Sequence, residues 1–237
     1  MITLKTPLIL VAMLAFFQVP AQVTNDLTGA WETMQSDGSR GVWIITPKHF
    51  SIAWFKQKEF LYTEGGKWEW NDGKKMELMW EFHTNNRDLV GQKKSVSVKL
   101  KGSELTISDT QWKRVDNGEP GRLAGAWLIT GRKRNGEMRN RTPGARKTMK
   151  ILSGTRFQWI AYNSDTGEFL GTGGGTYSTK EGIYTENIEF FSRDNSRVGA
   201  ILPFNFELKE GHWHHSGKSS KGDPIYEIWS TRPSLGI

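Results

Sequence analysis

The chain contains two copies of one sequence pattern, and this internal repeat constrains its fold more than any other feature. The segment LTGAW at residues 27–31 returns as LAGAW at residues 123–127, and later landmarks return in the same order. A unit of about 100 residues is long enough to fold as an independent domain. The repeat therefore predicts two similar domains in tandem.

The later landmarks allow positions in one copy to be compared with positions in the other. They are Phe50 with Phe157, Gly65 with Gly174, Trp68 with Tyr177, Phe82 with Phe190, and Leu100 with Leu208. A position whose chemistry differs between the copies is then a candidate for a function that only one copy has.

The N-terminus has the pattern of a secretory signal peptide. Lys5 precedes an apolar run at residues 8–17, and small residues follow at 19–21. That run is shorter than the roughly 20 residues of a membrane-spanning helix. We therefore expect a signal peptide at 1–21, export to the periplasm or the medium, and no transmembrane segment. The domains are expected at 27–116 and 123–233, joined by a linker at 117–122.

The rest of the chain reads as short strands separated by turn residues, without sustained helical periodicity. The first copy has predicted strands at 29–34, 41–46, 49–55, 60–70, 75–83, 94–101, 104–108 and 111–115. The second has them at 125–130, 146–152, 156–162, 168–178, 182–192, 200–209, 212–216 and 225–231. Residues 71–73 and 209–211 supply hairpin turns. The predicted fold class is all-β, as two tandem eight-stranded antiparallel up-and-down barrels, because closure removes exposed strand edges.

The ends of each copy resemble the lipocalin (calycin) family. Gly29 and Trp31 open the first copy, Gly125 and Trp127 open the second, and Arg114 and Arg232 lie near the two C-terminal ends. The resemblance implies that each Trp closes a barrel base and that each Arg packs over its ring. The second copy is also similar to uncharacterised lipocalin-like domains of exported bacterial proteins, at residues 174–177, 184–186, 213–217 and 227–229. Those domains imply a fold and an export route, and no agreed activity.

Two positions distinguish the second copy from the first. Glu186 replaces Leu78, and His215 replaces Ile107, at positions that alternation places inside the barrel. An inward carboxylate costs several kcal/mol unless it is paired. We expect a pocket in the second barrel lined by Trp159, Tyr177, Tyr184, Glu186, Phe204, Phe206, Trp213 and His215. The first barrel is expected to be filled by its own side chains, which are Phe50, Ile52, Trp54, Trp68, Met76, Leu78, Trp80, Val96 and Val98.

Alternatives remain open at this site. Glu186 and His215 could satisfy each other across the barrel with no ligand, and a bulge could turn His214 inward in place of His215. If the protein is an enzyme, Glu186 and His215 are the candidate acid and base. A pair of histidines, His212 and His214, could chelate a metal, but no matching carboxylate cluster accompanies them, so we expect neither metal nor cofactor.

The second copy also carries an insertion rich in basic residues. Its cations are Arg132, Lys133, Arg134, Arg139, Arg141, Arg146 and Lys147, against the single acid Glu137. This stretch is interpreted either as a basic lip that attracts an anionic ligand or envelope component, or as a solvated flexible loop containing Gly136 and Gly144.

Three classes of function remain. The first, which we favour, is a carrier of a small, largely apolar ligand that could be anionic; the others are an enzyme and a cell-envelope interaction module.

Other functions have less support from the sequence. The formal charge of +7 could indicate binding to nucleic acid, but an exported protein seldom meets nucleic acid. The sequence has no cysteine nucleophile and no Gly-x-Ser-x-Gly motif. The glycine run at 171–175 lacks a following helix, so it is interpreted as a close backbone approach rather than a phosphate loop.

Overall fold

The computed structural model describes residues 26–71, 75–219 and 222–237, which form two closed antiparallel β-barrels in tandem. The predicted fold class is confirmed. The first barrel consists of β1 (Gly29–Met34), β2 (Arg40–Ile45), β3 (His49–Lys56), β4 (Glu59–Asn71), β5 (Lys75–His83), β6 (Lys93–Lys101), β7 (Glu104–Ile107) and β8 (Thr110–Asp116). Each strand pairs with its sequence neighbours, and β1 also pairs with β8, so the sheet has no free edge strand.

The second barrel has the same order with one additional strand. It consists of β9 (Gly125–Arg134), β10 (Glu137–Asn140), β11 (Arg146–Leu152), β12 (Arg156–Asn163), β13 (Phe169–Lys180), β14 (Ile183–Phe191), β15 (Ile201–Lys209), β16 (His212–Lys218) and β17 (Pro224–Thr231). Pairing of β9 with both β11 and β17 closes the ring, and β10 pairs with β9 alone. Short 3-10 helices occupy Arg87–Leu89, Asn195–Arg197 and Pro233–Leu235.

Turn chemistry explains the strand junctions that the structure describes. Glu210 and Gly211 have φ values of 53° and 79°, as a two-residue hairpin turn requires, and they confirm the turn predicted at 209–211. The turn predicted at 71–73 lies largely outside the described residues, as does the signal peptide predicted at 1–21.

The base of the first barrel agrees with the lipocalin resemblance, but that of the second does not. The Arg114 guanidinium lies 4.0 Å from the centre of the Trp31 ring. Both opening tryptophans donate to a carbonyl four residues back, Trp31 to Leu27 and Trp127 to Leu123, each at 2.9 Å. The expectation that Arg232 packs over its Trp is wrong, because its guanidinium pairs with Glu81 of the other barrel.

The two barrels pack against each other through the same outer face of each. An apolar cluster joins β2, β3 and β5 of the first barrel to β9, β11, β12 and β14 of the second. Phe55 stacks on Phe190 at 5.0 Å, and Phe82 lies 4.9 Å from Tyr162. Since Phe55 matches Tyr162 and Phe82 matches Phe190 in the repeat, the contact has the reciprocal form of a two-fold symmetric dimer interface.

A buried ion pair also joins the barrels. Arg232 donates to both carboxylate oxygens of Glu81, at 2.6 and 2.7 Å, and the Tyr162 hydroxyl donates to Glu81 at 2.6 Å. Burial alone would raise the pKa of Glu81, but the hydrogen bonds and charge of Arg232 bring it to about 2.

A second polar contact joins the barrels at the end of β8. There the Asp116 carboxylate accepts hydrogen bonds from Ser153, Gly154 and Thr155 of the second barrel.

We expect Arg232→Met to lower the free energy of unfolding by about 3–5 kcal/mol, because it leaves the Glu81 carboxylate buried without its cation. The double variant Glu81→Met/Arg232→Met should recover much of that loss, since neither charge then remains. Urea denaturation followed by tryptophan fluorescence measures both. Equal stability of the wild type and Arg232→Met would contradict a desolvated pair.

Candidate functional site

The interior and the mouth of the second barrel form a cavity of about 1210 Å³ that is open to solvent. Apolar side chains along its wall include Trp159, Ala161, Ile188, Leu202 and Phe204. Four buried polar side chains lie at its inner end: Lys150, Glu186, His215 and Glu227. The cavity is therefore an apolar chamber with a polar floor.

The cavity exists because large side chains of the first barrel are small in the second. Strand pairing matches Trp54 with Ala161 and Tyr62 with Gly171. In the first barrel Trp54 and Tyr62 stack at 5.8 Å and contribute to a core with six buried tryptophans. That core includes every side chain expected to fill the first barrel. Exchange of a stacked aromatic pair for Ala and Gly leaves a volume that the rest of the barrel does not collapse to fill.

The glycine run of β13 also shapes this wall. A Cβ on Gly173 would lie 2.7 Å from Trp159 Nε1, and one on Gly175 would lie 2.0 Å from the carbonyl oxygen of Asn187. The register shifts between Gly174 and Gly175, which marks a bulge. These glycines therefore allow close approach in a bent strand, as the sequence predicted.

The first part of the polar floor is an ion pair between Lys150 and Glu186. The Lys150 ammonium lies 2.8 Å from Glu186 Oε1, and each side chain is 6% exposed. Its nitrogen also lies 4.9 Å from the ring centres of Tyr184 and Trp213. Phe204 and Trp229 complete an aromatic box around the charge. Cation–π attraction offsets part of the desolvation of the ammonium.

The second part is a set of contacts centred on Glu227. Its carboxylate contacts Arg132, accepts from Trp229 Nε1 at 3.2 Å, and lies 3.4 Å from His215 Nδ1. Burial would raise the pKa of Glu227, but His215, Arg132 and Lys150 bring it to about 2. Burial, aided by the charge of Lys150, lowers the pKa of His215, so its imidazole is neutral near pH 7.

These groups leave the floor without net charge. Lys150 and Arg132 are cationic, Glu186 and Glu227 are anionic, and His215 is neutral. Each charge at this end of the cavity therefore has a partner of opposite sign.

The structure separates the predicted site residues into three groups. Trp159, Glu186, Phe204 and His215 lie on the cavity wall. The side chains packed in the barrel core outside that wall are Tyr177, Tyr184, Phe206 and Trp213. His214 lies on the other face of β16, where its Nδ1 is 2.8 Å from the Tyr226 hydroxyl. The alternative in which Glu186 and His215 pair with each other is wrong, because each has its own partner.

Those partners, Lys150 and Glu227, were missed by the sequence reasoning. In the first barrel, Trp31 on β1 pairs with Trp43 on β2. In the second barrel, Trp127 on β9 pairs with Lys150 on β11. Register likewise places Glu227 where the first barrel has Thr110. The comparison that found Glu186 could have found both, had it been extended to these strands.

The basic insertion forms a β-hairpin, β9 with β10, at the cavity mouth in place of the expected loop, and its residues 133–140 are exposed to solvent. Asn135 and Gly136 have φ values of 50° and 86°, and an Asn-Gly pair of this kind is a strong hairpin signal that the sequence reasoning did not use. Beyond Arg132, which contacts Glu227, the cations on the cavity rim are Lys133, Arg134, Arg139 and Arg193. Within the described ranges, no acid lies within salt-bridge distance of Lys133, Arg134 or Arg139, so the mouth is electropositive.

In the described part of the chain, no group of three His, Cys, Asp or Glu side chains could hold a metal ion. No helix among the same residues is long and apolar enough to cross a membrane. Comparison with known protein families and with curated proteins found no match.

We expect Glu186→Leu, which introduces the residue of the first barrel, to lower the free energy of unfolding by about 3–5 kcal/mol by leaving Lys150 unpaired. Lys150→Met/Glu186→Leu should recover much of this loss, because it removes both charges. A chemical-denaturation cycle over the four proteins gives the coupling energy. A coupling energy near zero would mean that water, and not Glu186, solvates the ammonium.

Proposed function

We propose that the protein is an exported binding protein whose second barrel holds a small, largely apolar ligand that carries an anionic group. The observation that carries the proposal is the contrast between the two barrels. The interior of this fold is filled by tryptophans in the first copy, whereas in the second copy the interior and mouth form a cavity of about 1210 Å³. A hollow barrel beside a filled one indicates that the volume serves an occupant.

The walls and the opening support this ligand class. Ligand pockets in proteins combine apolar walls with polar groups that fix orientation, and here apolar side chains lie between polar groups at the inner end and at the mouth. The unpaired cations of the β9–β10 hairpin would attract an anion and speed its association, an effect that salt would weaken. The same cations would allow contact with an anionic envelope component.

The enzyme alternative has less support. A general base must reach the proton that it removes. His215 Nε2 is enclosed by protein and has no hydrogen-bond partner among the described residues. Its other nitrogen is occupied by Glu227, and Glu186 is occupied by Lys150. These contacts favour binding over acid–base chemistry.

The localisation proposal depends on the N-terminal pattern alone. We expect cleavage after Ala21, so that the mature chain begins at Gln22. Intact-mass measurement of the protein recovered from the periplasm or the medium tests this expectation. Recovery of the uncleaved chain from the cytoplasm would refute export.

We expect Ala161→Trp, which introduces the matching residue of the first barrel, to fill the cavity and weaken binding about tenfold or more. Titration with 1-anilinonaphthalene-8-sulfonate, an apolar anion, measures this affinity, and circular dichroism verifies the fold.

The matched control is Trp54→Ala in the first barrel. It should cost about 3–5 kcal/mol of stability through a new cavity, and it should leave the affinity of the second barrel unchanged. Undiminished binding by folded Ala161→Trp would place the probe elsewhere and contradict the proposed site.

A further inference from the structure

The inner end of the cavity offers a hydrogen-bond donor beside an acceptor. Lys150 Nζ and Glu186 Oε1 lie 2.8 Å apart, and both side chains line the cavity. An ammonium has three N–H donors and a carboxylate accepts several hydrogen bonds, so their mutual bond does not use their full capacity. One ligand group could therefore accept from Lys150 and donate to Glu186 at the same time.

The charges at the floor decide which group fits. A ligand carboxylate there would face Glu186 and Glu227, and a ligand ammonium would face Lys150 and Arg132. A methyl end would displace water from the ion pair and supply no hydrogen bond in return, which is costly for buried charged groups. A hydroxyl both donates and accepts, carries no charge, and avoids all three costs.

The mouth has the opposite preference. Lys133, Arg134 and Arg139 are exposed, unpaired with acids in the described structure, and located on the cavity rim. Lys150 pairs with Trp127 on β9, and Arg134 lies seven residues further along the same strand, roughly 20 Å toward the mouth. The cavity is therefore neutral and polar inside, apolar along its walls, and cationic at its opening.

We propose that the ligand is an apolar chain with a hydroxyl at one end and an acid at the other. Lys150 and Glu186 form the subsite for the hydroxyl, and the hairpin cations hold the anionic group. This assignment rests on the proposed binding function and gives the ligand a fixed direction, with the hydroxyl end entering first.

The experiment compares matched twelve-carbon probes by isothermal titration calorimetry on the full chain. We expect 12-hydroxydodecanoate to bind roughly ten- to a hundredfold more tightly than dodecanoate, the range that hydrogen bonds to charged groups supply. Dodecanedioate, which would place a second carboxylate at the floor, should bind more weakly than the hydroxy acid.

Two double variants test the hydroxyl subsite and the cationic mouth separately. In Lys150→Met/Glu186→Leu, the ratio of the two Kd values should fall to about one, because the floor no longer recognises the hydroxyl. In Arg134→Ser/Arg139→Ser, both acids should weaken by about tenfold, their ratio should persist, and the salt dependence of binding should diminish. Lys101→Ser/Lys113→Ser, on the first barrel, serves as a charge-matched control.

The outcomes distinguish this proposal from the one on which it rests. Equal affinity for dodecanoate and 12-hydroxydodecanoate in the wild type would overturn the hydroxyl subsite and leave the binding function standing. A preference that survives in folded Lys150→Met/Glu186→Leu would also overturn it. Absence of binding by both acids and by 1-dodecanol would overturn the binding function itself.

Discussion

A closed eight-stranded barrel encloses an interior of nearly fixed size, and side chains or a ligand must occupy it. The two halves of this protein meet that constraint differently. The first barrel packs Trp43, Trp54 and Trp112 edge to face, with ring centres 5.3 and 5.7 Å apart. The second has Lys150 and Ala161 at the first two of these positions, and it keeps a tryptophan, Trp229, only at the third. The difference in side-chain volume at a few inward positions separates a filled barrel from a hollow one.

The filled barrel also has a structural task, because its outer face supports the wall of the hollow one. On β11, Met149 and Ile151 face the first barrel, while Lys150 between them faces the cavity. Strand alternation thus ties the position of the ammonium to the packing between the barrels. The reciprocal contact of Phe55 with Phe190 and of Phe82 with Tyr162 keeps this arrangement symmetric. The floor is consequently built on a strand whose outer face is packed against the first barrel.

The polar floor is not required by the fold. The first barrel closes with Trp43, Leu78, Ile107 and Thr110 at the corresponding positions, and it forms the same strands in the same order. Buried ion pairs are at best weakly stabilising relative to apolar residues of similar size. The presence of Lys150, Glu186, His215 and Glu227 together is therefore not explained by the fold, and the proposed ligand site gives these residues a role.

The sequence by itself determined the duplication, the strand order, the barrel class, and the inward placement of Glu186 and His215, because strand alternation and turn residues are local patterns. It did not determine the partners of those side chains. Lys150 reaches Glu186 across the barrel interior, and Arg232 turns away from its expected Trp toward Glu81 of the other barrel. Contacts of this kind depend on ring closure and on how two outer faces meet. They join residues far apart in sequence, so only the tertiary structure decided them.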